Sequence, residues 1–468
     1  MRSVVIAVLS LVLAHAASAA DPPPHELLSL KDDQRATWGA PRSTWQVEPS
    51  TPNQETLTWN DFINEVLAAN LDYAAARYDV DMAAADAAAA RLLPNPHLSL
   101  SGDRDLTFHN EYGTGSDGQP ALLRQVESHS VGFDQTIEIG GKRRWRSRVA
   151  DQSLRSAAAT LDDFLRNLKL DAASAYADAL SAQAAVERLR EVADFLARLE
   201  QAQQRRLASG DIGKPDLTQT QLEEARFRSD LIEAQTKAEA ARLELATFLG
   251  RKRGQTYFEV SGALTRPLPQ HDLAAVISDA LRDRPDLIAL RHARDAADSG
   301  VSLAKAARIP DIDLSLGYAH NDGVALNHPI DPTPAFNQAV IGVSIPIPLF
   351  DRGREGVSRA FAAAEQARVQ VAAAELKAEV EIRAADAEYR SARQRLESYR
   401  GGILNSADEL LEAQRFSYSH GAATLLELLE AQRSANETRA DYEQALSDAV
   451  RAEIEFERAA GVNPDIAF

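Results

Sequence analysis

The side chains that could carry chemistry in this sequence are carboxylates beside two short turns. The turns are Gly210-Asp211-Ile212-Gly213 and Gly421-Ala422-Ala423-Thr424, and the carboxylates are Asp216, Glu412, Glu427 and Glu430. If three copies of the chain met at these turns, the carboxylates would form rings that favour cations and hold an entrance closed. The alternative is that each carboxylate belongs to a solvated helix face, which is the commoner use of such residues.

Histidines are the other candidate ligands, and five fall in or beside two predicted strand hairpins: His97, His109, His129, His320 and His328. Their position suggests a route for metal ions, but no metal-ligand spacing is present, so we predict no metal site. Enzyme motifs are also missing, because the sequence has no His-Glu-x-x-His and its Gly-Gly-Lys-Arg at 140–143 lacks the features of a phosphate loop. We therefore predict no catalytic residue and no cofactor.

Composition and charge exclude further classes of protein. Lys and Arg number 51 against 69 Asp and Glu, and the net charge of −18 argues against a nucleic-acid binder. Cysteine is absent, which excludes disulfides, thiolate metal sites, catalytic thiols and a lipid anchor on an N-terminal cysteine. The cationic run Lys142, Arg143, Arg144 and Arg146 is expected at a membrane boundary rather than on nucleic acid.

The N-terminus predicts export. Met1-Arg2, an apolar stretch over 4–14 and the small residues Ser18-Ala19-Ala20 indicate a cleaved secretory signal at 1–20; the alternative is an uncleaved anchor. Residues 21–56 are proline-rich and predict an extended arm over the surface. No later stretch has the roughly 18 consecutive apolar residues of a spanning helix, so entry into a membrane would require strands.

The elements that carry the two turns belong to a duplicated unit. Leu-Pro-Asn-Pro-His-Leu-Ser-Leu at 93–100 matches Ile-Pro-Asp-Ile-Asp-Leu-Ser-Leu at 309–316, and Gly210 and Gly250 recur as Gly421 and Gly461. We place the first copy at 57–250, a linker at 251–271, the second copy at 272–461 and a tail at 462–468. Each copy is predicted as helix, strand, loop, strand, very long helix, tight turn and helix.

The long helices carry apolar seams on two sides. From Leu161 to Leu196, leucine, alanine and valine recur at alternating steps of four and three, and a second seam runs from Leu170 to Ala184, about 200° away. The copy-two helix has one such seam from Ile382 to Ile403. A helix with neighbours on both flanks predicts a helical array that closes into a tube. An uninterrupted helix over 142–209 would measure roughly 100 Å. The alternative is a soluble antiparallel coiled-coil bundle.

The short strands alternate apolar with small or acidic residues, as membrane strands do. The predicted lipid-facing side chains are Phe133, Ile137, Leu314, Leu316, Ile341, Val343 and Ile345. The loops over 103–127 and 320–337 are polar and expected to be extracellular. Four strands cannot close a barrel of at least about eight, so several chains must share one. Half-buried strands of a soluble sheet would show the same period.

Several motifs in this order resemble the TolC-like outer-membrane efflux protein family. They are Leu-Pro-Asn-Pro at 93–96, Ile-Glu-Ile-Gly-Gly-Lys-Arg at 137–143, Arg-Pro-Asp-Leu at 284–287, Ile-Pro-Leu-Phe-Asp-Arg at 347–352 and Tyr-x-x-Gly at 418–421. The resemblance covers 57–461 and is closest to the heavy-metal branch typified by cobalt-zinc-cadmium and copper-silver exporters. Many members carry a lipobox cysteine, from which this chain departs.

The resemblance implies a fold that is mainly α with membrane β. Three chains would form a homotrimer, with a twelve-stranded β-barrel in outer-membrane lipid continuing into a twelve-helix α-barrel in the periplasm. The two turns would dock a periplasmic adaptor protein that connects to an inner-membrane RND-type pump. The implied function is an exit duct for heavy-metal cations. A drug-efflux or type I secretion duct of the same fold, or a soluble periplasmic coiled-coil scaffold, are the alternatives.

Overall fold

The computed structural model of the protein describes residues 55–104, 112–114, 120–122, 127–251, 258–264, 269–321 and 336–462. All of them belong to one compact unit, Pro52–Phe468. The predicted signal sequence, nearly all of the arm, the tail after 462, most of both predicted loops, and with them His109 and His328, lie outside the described residues.

The first copy contains the predicted elements in their order, with three additions: a short strand that begins inside the segment predicted as the arm, a second helix at the start, and two short strands in the loop. Its elements are β1 (Glu55–Thr58), α1 (Trp59–Ala69), α2 (Leu71–Ala90), β2 (His97–Arg104), β3 (Tyr112–Thr114), β4 (Pro120–Leu122), β5 (Glu127–Ile137), α3 (Lys142–Ser209) and α4 (Lys214–Phe248). The helix α3 has 68 residues, which confirms the long helix predicted over 142–209.

The second copy repeats this order, except that its long helix is interrupted and that its described residues include no counterpart of β3 and β4. Its elements are β6 (Phe258–Ser261), α5 (Leu273–Asp283), α6 (Pro285–Ala307), β7 (Ile312–Asn321), β8 (Phe336–Ser344), α7 (Arg354–Ser398), a π turn (Tyr399–Ile403), α8 (Leu404–Ser419) and α9 (Leu425–Ala460). The long helix predicted here is therefore broken, whereas its counterpart α3 is continuous. The strand β6 also lies inside the segment predicted as a linker.

The break lies at a pair of glycines and shifts the helical seam by one residue. Gly402 has φ 145°, which a residue with a side chain rarely adopts. Steps of four and three from Leu396 would bury Ile403 and then Leu410. Instead Ile403 is 49% exposed and Leu410 51%, while Leu411 is 1% exposed. The seam prediction was thus wrong at Ile403, because the helix is kinked at Gly402, where the backbone is not helical.

Both predicted seams of α3 are buried. The first contributes Leu168, Ala172, Ala175, Ala179, Leu189 and Leu196, and the second contributes Leu170, Ala173, Ala177 and Leu180. Near its start α3 packs against α2 and α6, and farther along against α4 and α9. Alanine at these positions allows close approach of the neighbouring helices. The result is an array in which α3 is an inner member, as its two seams predicted.

The main core lies where α3 crosses a small parallel sheet of β1 and β6. The Tyr176 hydroxyl lies 2.9 Å from the carbonyl oxygen of Leu57 and 2.8 Å from that of Ser261, so one side chain joins both strands. Trp59 and Phe62 each lie 5.4 Å from the Tyr176 ring, centroid to centroid. Burial raises the pKa of Tyr176 to about 12, so the hydroxyl remains a donor.

Each copy fixes the end of its last helix with a residue from its own first helix pair. In copy one the Asn70 side-chain amide donates to the Phe248 carbonyl at 3.2 Å. In copy two the Arg284 guanidinium donates to the Ala459 carbonyl at 2.7 Å and also contacts Asp286 and Glu381. Burial alone would lower the pKa of Arg284, and these two carboxylates outweigh it and raise the pKa. Arg284 thereby gives the Arg-Pro-Asp-Leu motif a structural role.

Candidate functional site

The four long strands form one antiparallel sheet in the order β2-β5-β7-β8. Its register joins side chains from both copies: Leu98 is opposite Phe133, Phe133 opposite Leu316, and Leu316 opposite Ile341. Since cross-strand partners point to the same side, this row lies on a single face. Within the described residues, β2 and β8 are the edges of the sheet.

Six of the seven side chains predicted to face lipid share that face, namely Phe133, Ile137, Leu314, Leu316, Ile341 and Val343. Ile345 comes after β8 ends, in an extended segment. Ile341 is 75% exposed and Val343 64%. The structure therefore places a largely apolar surface on one side of the sheet, interrupted by Gln135 and, at the end farther from the helices, by His129 and His320. Its contact with lipid stays a prediction.

The opposite face is small and polar. It carries rows such as His97, Asp134, Ser315 and Gly342, in which each residue pairs with the next. The Thr136 hydroxyl donates to Asp313 at 2.6 Å. A Cβ on Gly342 would clash with the Ser315 hydroxyl, which shows how closely the small side chains pack. Within the described strands this face carries three carboxylates, Asp103, Asp134 and Asp313, and the imidazole of His97. Its other side chains are mostly small or polar, and the exceptions on β8 are Phe336 and Val340.

The helical array also ends in exposed apolar stripes. On α2 these are Leu71, Tyr78 and Met82, with 65%, 63% and 59% exposure. On α7 they are Phe361, Val369, Leu376 and Val380, all more than half exposed and within about 100° of one another on the helix. The array order α2, α3, α6, α7 puts these stripes at its two sides. Apolar stripes of this kind are normally covered by other protein or by lipid.

The two predicted turns lie where the long helices reverse. Gly210 ends α3 with φ +84°, and Gly421 follows α8 with φ +75°. Two of the candidate carboxylates act as caps here: Asp216 accepts from the Gly213 amide at 3.3 Å, and Glu427 accepts from the Thr424 amide at 2.7 Å. Hydrogen bonds from the backbone amide and the hydroxyl of Thr424 lower the pKa of Glu427. A Thr-x-x-Glu capping box was present in the sequence as a local signal for this role.

The remaining two candidate carboxylates are held on their own helices or exposed. Glu412 pairs with Arg415 at 2.9 Å, and Glu430 is an exposed residue of α9 that helps to raise the pKa of Arg433. One chain therefore does not bring the four carboxylates together, and their arrangement in rings stays a prediction about the assembly.

Contacts between the two hairpins join the ends of both copies. The Tyr418 hydroxyl accepts from Gln203 at 2.6 Å and from Arg206 at 3.1 Å. Arg433 makes a bidentate pair with Glu223 at 3.2 and 2.9 Å, and Arg188 pairs with Glu443 at 2.9 Å. These partners lie more than 200 residues apart in sequence, and no local pattern marks them. Only Tyr418 had appeared in a predicted motif.

The described histidines do not form a metal centre. His129 and His320 are register partners on β5 and β7, and His320 hydrogen-bonds Asn337 at 2.8 Å, while His97 is opposite Asp134. Across the described ranges, no group of three or more His, Cys, Asp or Glu side chains is placed to hold a metal ion. Among the same residues, no helix is both long and apolar enough to cross a bilayer.

Comparison with known proteins identifies relatives of this arrangement. The family described as "Outer membrane efflux protein" matches residues 62–251 and 276–462. The cobalt-zinc-cadmium resistance protein CzcC of Cupriavidus metallidurans is 26% identical over 86% of this chain and 90% of its own length. The nickel-cobalt-cadmium resistance protein NccC of Alcaligenes xylosoxydans is 26% identical over 64% of this chain and 63% of its own. Among solved structures, CusC has a similar fold, with TM-score 0.67, 21% identity and coverage of 86% and 92%.

Proposed function

The chain belongs to the outer membrane efflux protein family, and from that premise we propose that three copies form one exit duct for heavy-metal cations. Members of this family are outer-membrane efflux channels that extend into the periplasm, and this protein is one of them. The trimer, its closed barrel, the metal cargo and the partners are the proposed part. Removal of the predicted signal at 1–20 would precede assembly.

The main observation in favour of a trimer is that both the sheet and the helical array of one chain end in uncovered edges. The sheet has open edges at β2 and β8, and backbone groups on such edges cannot be left unpaired in lipid. Four strands are also too few for a closed barrel, whereas three copies supply twelve. Pairing β8 of one copy with β2 of the next would close the sheet. It would also bring the apolar stripe of α7 towards that of α2.

In this assembly the two faces of the sheet have separate functions. The face with Phe133, Leu316 and Ile341 would contact lipid, and the face with Asp134 and Asp313 would line the lumen. Carboxylates along a lumen favour cations over anions. Together with the metal-resistance relatives, this supports cation export as the cargo class.

The turns at 210–213 and 421–424 would dock a periplasmic adaptor, which connects the duct to an RND-type pump in the inner membrane. Both turns are exposed hairpin ends at the opposite end of the long helices from the strands. Asp216 and Glu427, which cap the following helices, would stand beside Glu412 and Glu430 in rings around the entrance. In this proposal the pump supplies the energy for export.

Cysteine cross-linking tests the trimer directly, because the chain has no cysteine of its own. We expect Leu98→Cys on β2, combined in turn with Ala339→Cys, Ile341→Cys or Val343→Cys on β8, to yield a covalent trimer in at least one pairing. The matched control is Phe133→Cys with Leu316→Cys. These positions are register partners within one sheet, so oxidation should link them inside a single chain without changing its mass.

Only monomers in every pairing, while the control pair oxidises, would refute the shared barrel. Conductance in planar bilayers should accompany the covalent trimer, and a monomer that stays soluble without detergent would instead support a periplasmic scaffold. Cargo is tested with a deletion strain on a panel of metals and drugs. Unchanged metal tolerance with new drug sensitivity would replace the metal assignment by drug efflux.

A further inference from the structure

The junction between the sheet and the helices contains two kinds of cation. The first kind is used by the protein itself: Lys142 pairs with Asp311 at 2.8 Å, and Arg146 makes a bidentate pair with Glu138 at 2.6 and 3.1 Å. These contacts tie the start of α3 to the chain around it. Lys142 and Arg146 are two of the four cations at 142–146 that we predicted at a membrane boundary, and both are therefore paired within the chain.

The second kind is exposed and makes no ion pair within the described part of the chain. We call these six arginines the basic band: Arg143, Arg144, Arg148, Arg352, Arg354 and Arg359. Arg143, Arg144 and Arg148 lie in the first two turns of α3, which begins five residues after β5 ends. Arg352 lies just before α7, and Arg354 and Arg359 lie in its first two turns; α7 begins ten residues after β8 ends. In the sheet order, β5 and β8 are separated only by β7, about 10 Å in all. A chain of net charge −18 thus gathers six arginines near this junction, where the exposed carboxylates Asp351 and Glu355 also lie.

Exposed apolar side chains lie directly beside this charge. The segment 345–350, Ile-Pro-Ile-Pro-Leu-Phe, connects β8 to α7 outside any helix or strand. In it Ile347 is 76% exposed and Phe350 99%. On the α3 side the guanidinium carbons of Arg144 and Arg148 lie 5.7 and 5.9 Å from the centre of the Trp145 ring. Aromatic and apolar groups next to arginine are typical of the level where acyl chains meet headgroups.

The position of the band favours lipid over a second copy of the chain. A neighbouring copy would join the sheet at its edges, β2 or β8. The arginines at 143, 144 and 148 follow β5, which is an inner strand, so an added copy at either edge leaves them uncovered.

We propose that the basic band binds the headgroups of anionic phospholipids in the periplasmic leaflet of the outer membrane, with Phe350 and Trp145 at the acyl boundary. This inference rests on the proposed membrane placement of the sheet. Each guanidinium offers several donors to a phosphate, and together they attract anionic headgroups electrostatically. The band would thereby fix the depth of the sheet in the bilayer.

Trp145 provides the reporter for a test on the full chain in phosphatidylcholine vesicles. We would measure quenching by brominated phosphatidylglycerol and, separately, by the same minor fraction of brominated phosphatidylcholine. The Trp145→Phe variant subtracts the signal of the other three tryptophans. We expect phosphatidylglycerol to be the stronger quencher. The triple variant Arg143→Gln, Arg144→Gln, Arg148→Gln should reduce this preference about tenfold.

The matched control makes the same change of charge far from the junction, with Arg198→Gln, Arg205→Gln and Arg226→Gln, and should keep the preference. Arg352→Gln, Arg354→Gln and Arg359→Gln are tested by native mass spectrometry, where fewer retained phosphatidylglycerol molecules are expected than in the control. Equal quenching by both lipids, or a preference that survives the band variants, would overturn the proposal.

Two other results would assign the band differently and overturn it as well. Displacement of phosphatidylglycerol by inorganic phosphate at constant ionic strength would indicate a site for free anions. Dissociation of the oligomer with unchanged lipid preference would indicate an interface with a second copy. Failure of the proposed function is distinguishable, since the unmodified protein would then neither enter vesicles nor conduct, and the inference would fall with it.

Discussion

Replacing Arg433 with glutamine removes the bidentate pair that joins the copy-two hairpin to Glu223 of copy one. The side chain of Glu223 is 10% exposed and that of Arg433 41%. The variant therefore leaves a nearly buried carboxylate without its guanidinium. Its cost should exceed that of an exposed pair, at most about 1 kcal/mol, and stay below the roughly 3 kcal/mol of a fully buried one.

We expect about 1 to 2 kcal/mol, which raises the population with separated hairpins roughly 5- to 30-fold. Hydrogen exchange measures this opening where reclosing is fast. Amides over 214–230 and 425–440 should exchange faster by that factor, and the reconstituted channel should spend more time open. The double variant Arg433→Gln, Glu223→Gln should be less affected than Arg433→Gln alone, because it leaves no buried charge.

Arg383→Gln is the matched control, since it breaks the exposed pair with Glu379 on α7 and changes the charge equally. The reasoning is refuted if exchange at the hairpins and channel opening in Arg433→Gln equal those of this control. It is also refuted if the double variant is affected as much as Arg433→Gln alone.

Three further predictions concern the core. Arg284→Ala should lower the free energy of unfolding by about 3 kcal/mol because it strands the Asp286 carboxylate and a helix-end carbonyl, and a melting temperature equal to that of Arg383→Gln would contradict this. Tyr176→Phe should lower the free energy of unfolding, measured with denaturant, by about 1 to 2 kcal/mol, because the carbonyls of Leu57 and Ser261 lose their shared donor. An unchanged unfolding midpoint would contradict this role of Tyr176. Burial lowers the pKa of His271, and a nearby carboxylate opposes this shift only in part. The neutral His271 ring stacks on Phe456. The stability that depends on the neutral ring is therefore fully present above pH 6.5, the ordinary pKa of histidine, and is lost as the pH falls through the lower pKa of His271 in the folded chain. His271→Phe should therefore lose less stability between pH 7 and pH 5 than the unmodified chain, and parallel pH profiles would disprove it.

Features that repeat along the chain could be predicted from the sequence. The two seams of α3 recur over many turns, so their burial followed from period alone, and alternation placed Phe133 and Leu316 on one face. Residues whose partners lie far along the chain could not be found in this way. In the sequence, Arg284 is only a positively charged residue of the Arg-Pro-Asp-Leu motif. No nearby residue indicates that it donates to the carbonyl of Ala459, which lies 175 residues farther along the chain.

The helix tips were predicted in place but not in chemistry. Gly210 and Gly421 are left-handed helix ends that sequence identifies well. Asp216 and Glu427 were chosen for their charge, whereas in the chain their carboxylates accept from backbone amides. The break at Gly401-Gly402 could not be predicted from the helical period, because Tyr399 and Ile403 continue the steps of three and four on both sides of the glycines. A one-residue change of phase becomes visible only when Leu411 rather than Leu410 is buried.

The π turn at 399–403 means that the duplicated halves are no longer equivalent. The kink at Gly402 moves the buried position from Leu410 to Leu411, which is about 100° farther around the helix. In a ring built from three chains, continuous long helices would then alternate with long helices that are kinked at Gly402. Deleting one residue at Gly402 would rotate the lower part of this helix by about 100° relative to the part above it.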